Sequence, residues 1–178
     1  SSNIRTETTI RNLTISLNVA TSGGGIYGQE PTSSYPEPHK LANTLFSGNL
    51  PDNCAVGPFT SLGHNLDTGT SCALLGAGDL QNANAALQGP SFNGGPLADL
   101  LTQKLGPGSA ASDAGDPLIC AQDPVNNIDQ RSEPRGADGD GNGIGGCDIG
   151  AYEGEGVKAG YGSTPVQPGP IDIGNVQL

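Results

Sequence analysis

The sequence predicts an all-β fold: a short β-solenoid followed by a loop-rich, disulfide-stapled C-terminal segment. Three observations carry that expectation. Glycine (29) and proline (14) together make up about a quarter of the 178 residues, and they are the two poorest residues for a helix interior. The pattern N-x-x-[I/F]-S-x-N occurs twice, from Asn12 to Asn18 and again from Asn43 to Asn49, an offset of 31 residues. Hydrophobic residues are only 34% of the chain, yet they gather in β-branched runs instead of scattering, which argues for order.

Taken in chain order, Thr8 to Leu17 alternates as a strand, with Ile10, Leu13 or Ile15, and Leu17 turned toward a core. Gly23-Gly24-Gly25 interrupts it before Ile26-Tyr27. The Pro-rich stretch Gln29 to Lys40 reads as a loop inserted into a shorter repeat. Removing about ten residues leaves a period of roughly 20, the range of solenoid coils. A weaker third copy follows at Ser61 to Asn65. Asn18 and Asn49 stand at equivalent turns, either as rungs of a side-chain ladder or as ordinary Asn turn residues that tolerate left-handed backbone. Asn82 to Leu87, and Pro96 to Leu105 with Leu97, Leu100, Leu101 and Leu105 near helical spacing, predict one short helix that Gly106-Pro107-Gly108 ends. Residues 106–153 are dominated by turns. The expected division is residues 1–153 as one domain, 154–170 as a Gly/Pro linker, and 171–178 as a C-terminal strand without a partner in its own tail.

Charge and cysteine usage narrow the setting. Seven basic against 18 acidic residues give a formal net charge of −11, which repels phosphate backbones and anionic bilayers, so no nucleic-acid partner is expected. No apolar run approaches the roughly 18 residues that a membrane span needs. Between Asp113 and Glu155 ten acidic residues meet only Arg131 and Arg135. The four cysteines, Cys54, Cys72, Cys120 and Cys147, form no C-x-x-C pair, and His39 and His64 are not spaced beside them as zinc ligands. An even count points to disulfides and an oxidising, extracellular compartment. Proximity favours Cys54–Cys72 with Cys120–Cys147, one of three connectivities. A chain opening on Ser1 is expected of a processed secreted polypeptide or of a trimmed one.

Asp138-Gly139-Asp140-Gly141-Asn142-Gly143 matches the opening of a calcium loop, with oxygen side chains at positions 1, 3 and 5 and glycine at 6. The Ile144 carbonyl would be the position 7 ligand. Position 12 is Ile149 where a bidentate glutamate is expected, so Asp148, or Glu153 further on, would have to close a Ca2+ site. The plainer reading is an acidic, glycine-rich turn. Gly141 to Gly146 fits G-x-G-x-x-G formally but follows no hydrophobic strand, so it is not a dinucleotide site. Asp113, Asp116 and Asp129 could serve acid/base work on a polysaccharide, with Lys40, Lys104, Lys158 or an arginine as base, yet none lies in a lyase or hydrolase motif. Arg131 and Arg135 are expected to bridge Asp129, Glu133 or the acidic turn, and His64 to be a satisfied turn residue.

The stretches Asn12–Tyr27, Asn43–Asn49 and Phe59–Asp67 resemble right-handed parallel β-helix repeat proteins. Gly108–Asp116 (GSAASDAGD), Asp129–Arg135 (DQRSEPR) and Cys147–Glu153 (CDIGAYE) resemble the ending of large secreted bacterial members, where a surface-anchor segment often follows. Ser132 departs from the glycine usual in the DQR-x-x-PR turn. The resemblance covers roughly residues 8–153 and implies a right-handed parallel β-helix and an extracellular or cell-surface location, without implying one activity. The expected role is structural or adhesive, and not enzymatic. The alternative is a carbohydrate-binding or polysaccharide-degrading module acting as a lyase or glycoside hydrolase. Open coil ends and the apolar tail residues Ile171, Ile173, Val176 and Leu178 predict a homo-oligomer or filament, built by end-to-end stacking or strand donation.

Overall fold

The computed structural model describes residues 8–28, 39–55, 57, 59–97 and 99–156. It is mostly sheet with almost no helix. The chain makes successive passes, each a short strand, a corner and another short strand. The first contains β1 (Thr9–Arg11), β2 (Thr14–Ser16) and β3 (Ile26–Tyr27). The second contains β4 (His39–Ala42), β5 (Leu45–Ser47) and β6 (Cys54–Ala55), and the third β7 (Phe59–Gly63) and β8 (Leu66–Asp67), after which comes β9 (Leu80–Gln81).

Corresponding strands stack in parallel, in the orders β1-β4-β7, β2-β5-β8-β9 and β3-β6. The sheets stay small, and no closed solenoid forms among the described residues. The register Thr14↔Leu45↔Leu66↔Leu80 sets the passes 31, 21 and then 14 residues apart. The sequence repeat is therefore the register of the first two passes. His39 and Lys40, expected in the inserted loop, begin β4 instead.

Thr8 to Leu17 is not one strand. Asn12 breaks it with a left-handed φ of 47°, and Asn43 (47°) and His64 (53°) make the same corner in the next two passes. Asparagine enters this region more readily than other residues with a side chain. The inward alternation restarts after the corner. Ile10 and Ile15 pack against the buried Leu41, Phe46, Cys54, Cys72 and Leu74, whereas Leu13 and Leu17 are exposed. A second buried cluster joins Leu45 and Leu66 to Ala85, Leu105, Ala111 and Ile149.

The helix expected over 82–105 is absent among the described residues of that stretch. β10 (Ser91–Phe92) pairs antiparallel with β11 (Leu101–Thr102), and Leu87 bridges Leu105. Gly94 and Gly95, with φ of 76° and 85°, reverse the chain where the helical spacing would begin. Leu97, Leu100 and Leu101 are exposed, so their spacing does not mark a buried face. The helix that does form is α1 (Pro117–Ala121), with Pro117 in its first turn and the Asp116 carboxylate accepting from the Leu118 N–H.

The segment after Gly108 lies along the corners of the three passes. Asn43 accepts from the Asp116 N–H (2.8 Å) and donates to its carbonyl (3.1 Å). His64 Nδ1 donates to the Ala114 carbonyl (2.8 Å). Further on, Gly150 N–H donates to Asn43 O (2.9 Å) and Ala151 N–H to Thr14 Oγ1 (3.0 Å). Disulfides join Cys54 to Cys72 and Cys120 to Cys147. The expected strand 171–178, with Ile171, Ile173, Val176 and Leu178, lies outside the described residues, as does the linker beyond Gly156.

Candidate functional site

Two groups of charged side chains occupy the C-terminal segment, one partly exposed and one buried. In the first, single carboxylate oxygens of Asp113, Asp138 and Asp140 lie within 4.8 Å of one another. Turn geometry gathers them. Asp138 accepts from the N–H groups of Gly141 (2.7 Å), Asn142 (3.1 Å) and Gly143 (2.8 Å), which curls the loop around its own first carboxylate. Asp140 accepts from both nitrogens of Asn142, and Asn142 Oδ1 accepts from the Ile144 N–H (2.8 Å). Asp113 holds the loop from outside, accepting from Gly139 (3.4 Å), Asp140 (3.0 Å) and Gly146 (2.8 Å).

Three clustered carboxylates offer hard oxygen donors of the kind a calcium ion takes. Of the residues expected from the loop motif, Asp138, Asp140 and Asn142 come together. Asp148 is fully buried, and its oxygens accept from the Asp113 (2.7 Å) and Gly154 N–H groups. Asp113 takes the place beside the loop, 25 residues ahead of it, and no loop spacing encodes that distance.

The buried group is built from the DQRSEPR and CDIGAYE stretches. Arg131 donates from Nε to Asp129 (2.8 Å), with a second guanidinium nitrogen also 2.8 Å from that carboxylate. It donates further to the carbonyls of Asn93 (3.0 Å) and Glu153 (2.7 Å) and to the Tyr152 hydroxyl (3.0 Å). Arg135 pairs with Glu153 (3.4 Å) and donates to the Gly150 carbonyl (2.9 Å). Glu153 also accepts from the N–H groups of Gly136, Ala137 and Asp148. Burial pushes the Asp148 carboxyl up to about 7, reinforced by the neighbouring Glu153 charge. It pushes the Glu153 carboxyl up as well, and lowers the Arg135 guanidinium.

The carboxylates proposed for acid/base work are committed elsewhere: Asp116 caps α1, Asp129 is buried with Arg131, and Asp113 holds the acidic loop. The expected Asn18–Asn49 rung is present. Asn18 donates from its backbone N–H and its Nδ2 to Asn49 Oδ1, both at 3.0 Å. Asn49 Nδ2 in turn donates to Asn53 Oδ1 (2.8 Å), and Asn53 donates on to Asp67. No helix among the described residues is long and apolar enough to cross a membrane. Comparison with protein-family models, curated proteins and solved structures finds no match to this chain.

Proposed function

We propose that this chain is an extracellular structural protein of the right-handed parallel β-helix type, and that copies of it join head to tail into a filament. The observation that carries the reading is the parallel stacking of three passes, with one register shift between Leu41 and Ala42, on hydrogen-bonded side-chain rungs, the means by which a solenoid extends along one axis. Two disulfides support an oxidising, extracellular setting. The motif residues Asp129, Arg131, Arg135 and Glu153 are spent on internal bonds, which favours scaffold over catalyst. Calcium held by Asp113, Asp138 and Asp140 would rigidify the exposed loop of that scaffold.

Assembly is tested by electron microscopy of the purified protein together with light scattering. A regular polymer, reduced to a folded monomer on deletion of residues 171–178, is the expected result. A protein that stays monomeric at every concentration overturns the filament reading.

A further inference from the structure

The dipeptide Asn-Gly occurs twice, at Asn93-Gly94 and at Asn142-Gly143. It is prone to losing the asparagine amide, because a following glycine lets the next backbone nitrogen approach the side-chain carbon closely. That nitrogen bonds to Cγ, the Cγ–Nδ2 bond breaks and ammonia leaves. Water then opens the cyclic imide to aspartate or isoaspartate. The only co-reactant is solvent water. By sequence the two sites are equal, and the fold decides between them.

Asn93 is half-buried directly after β10. Its Nδ2 donates to the carbonyls of Ser91 (3.2 Å) and Thr102 (2.8 Å) and to the Thr102 hydroxyl (3.1 Å). Its own carbonyl accepts from the buried Arg131 guanidinium (3.0 Å), which fixes the plane of the Asn93–Gly94 peptide. Side chain and peptide are each tied to partners of their own. Ring closure must rotate one toward the other, and these bonds oppose it.

Asn142 is exposed in the glycine-rich loop, and each atom that would react has a fitting partner. The Gly143 N–H, the nucleophile, donates to Asp138 Oδ2 (2.8 Å), a carboxylate placed to take the proton as the nitrogen attacks. Asn142 Oδ1, where negative charge develops, accepts from the Ile144 N–H (2.8 Å). Asn142 Nδ2, the leaving group, donates to Asp140 Oδ2 (2.9 Å), which can pass a proton to the departing ammonia. A Cβ built at Gly143 would meet nothing within 4 Å, so the space around the attacking nitrogen is open.

We infer that Asn142 is a self-modification site: its loop promotes loss of the Asn142 amide, whereas the fold protects Asn93. The proton that leaves the Gly143 nitrogen is balanced by the one gained by ammonia, and the net change is uptake of water. The product adds one negative charge to the formal −11. In the aspartate product a carboxylate replaces the amide that bonded Asp140, so a hydrogen bond gives way to a like-charge contact beside Asp113 and Asp138. A cation would relieve that contact, so calcium should stabilise the modified protein more than the fresh one. This consequence rests on the calcium reading above; the chemistry at Asn142 does not.

The test follows both asparagines by peptide mapping and mass spectrometry in the folded protein, held in chelator at neutral pH, and in the reduced, urea-unfolded chain. An Asn142→Asp chain is the standard for the aspartate product. The two sites should convert at similar rates when unfolded, and in the folded protein Asn142 should lead Asn93 by about tenfold or more. Asp138→Ser keeps an oxygen that accepts the loop N–H groups but takes no proton, and it should slow Asn142 several-fold while leaving Asn93 unchanged. Folded Asn142 that converts no faster than Asn93, or more slowly than in the unfolded chain, overturns the inference. An unchanged Asn142 rate in an Asp138→Ser chain with a native melting curve overturns promotion by the loop. Conversion as expected, with no effect of calcium on either fresh or modified protein, overturns the calcium reading and upholds the modification.

Discussion

The guanidinium of Arg131 lies 3.8 Å from the centroid of the Tyr152 ring. The same group is bound to Asp129, so a cation, its counter-ion and an aromatic face are packed together in a site that water barely reaches. Arg131 therefore ties the DQRSEPR turn to the last described residues of the CDIGAYE stretch.

Replacing Arg131 with alanine leaves the Asp129 charge buried and unpaired, which costs about 3–5 kcal/mol. Arg131→Lys keeps the charge but loses the planar fork that reaches four partners, and it should also destabilise measurably. Urea unfolding reads both effects. A loss below about 1 kcal/mol for the alanine variant would contradict this account.

Asp148 makes stability depend on pH in a definite direction. Its folded-state carboxyl titrates near 7, above the ordinary value of 3.8. The folded protein thus holds this proton more tightly than the unfolded chain, and the associated stability is complete below pH 3.8 and lost as pH rises through 7. The raised Glu153 carboxyl acts in the same sense. Melting temperature in chelator should fall between pH 5 and 8, and Asp148→Asn should flatten that fall. A rise across this interval would refute the sign.

If the proposed site takes calcium, the ion should raise the melting temperature in the millimolar range, because it would bind the folded arrangement of Asp113, Asp138 and Asp140 and not the unfolded chain. Asp113→Asn is the discriminating variant, since the D-x-D-x-N-G motif alone does not contain that residue. Identical melting curves in chelator and calcium would exclude the ion.

Ser132 adopts a φ of 68°, in the left-handed region. A side chain there costs about 1–2 kcal/mol, and the greater freedom of glycine in the unfolded chain returns part of that. Ser132→Gly is expected to stabilise the protein by about 0.5–1 kcal/mol, read from the denaturant midpoint. Destabilisation would show that the serine side chain has a role the backbone does not reveal.

How far the architecture could be read in advance depended on sequence distance. The Asn12–Asn18 and Asn43–Asn49 copies are local patterns, and their 31-residue offset is the register by which Thr14 meets Leu45. The disulfide partners were suggested by proximity and are found so paired. Leu97, Leu100, Leu101 and Leu105 misled because apolar spacing alone cannot separate a helix from a hairpin, and Gly94 and Gly95 turned the chain. Asp113 was missed as a companion of the acidic loop because only the folded chain brings it there. The outward turn of Leu13 followed from a corner at Asn12 that no propensity scale marks within a β-branched run.

The contacts between the first corner and the last motif also govern when the molecule can be finished. Asn12 and Asn43 donate to the sulfur of Cys120, and Ala151 donates to Thr14. During synthesis the earliest strands emerge from the ribosome more than a hundred residues before these companions exist. Their flank stays bare until residues 120–151 have been made and an oxidant has joined Cys120 to Cys147. Such non-local closure is slow and leaves strand edges open to aggregation in the interval.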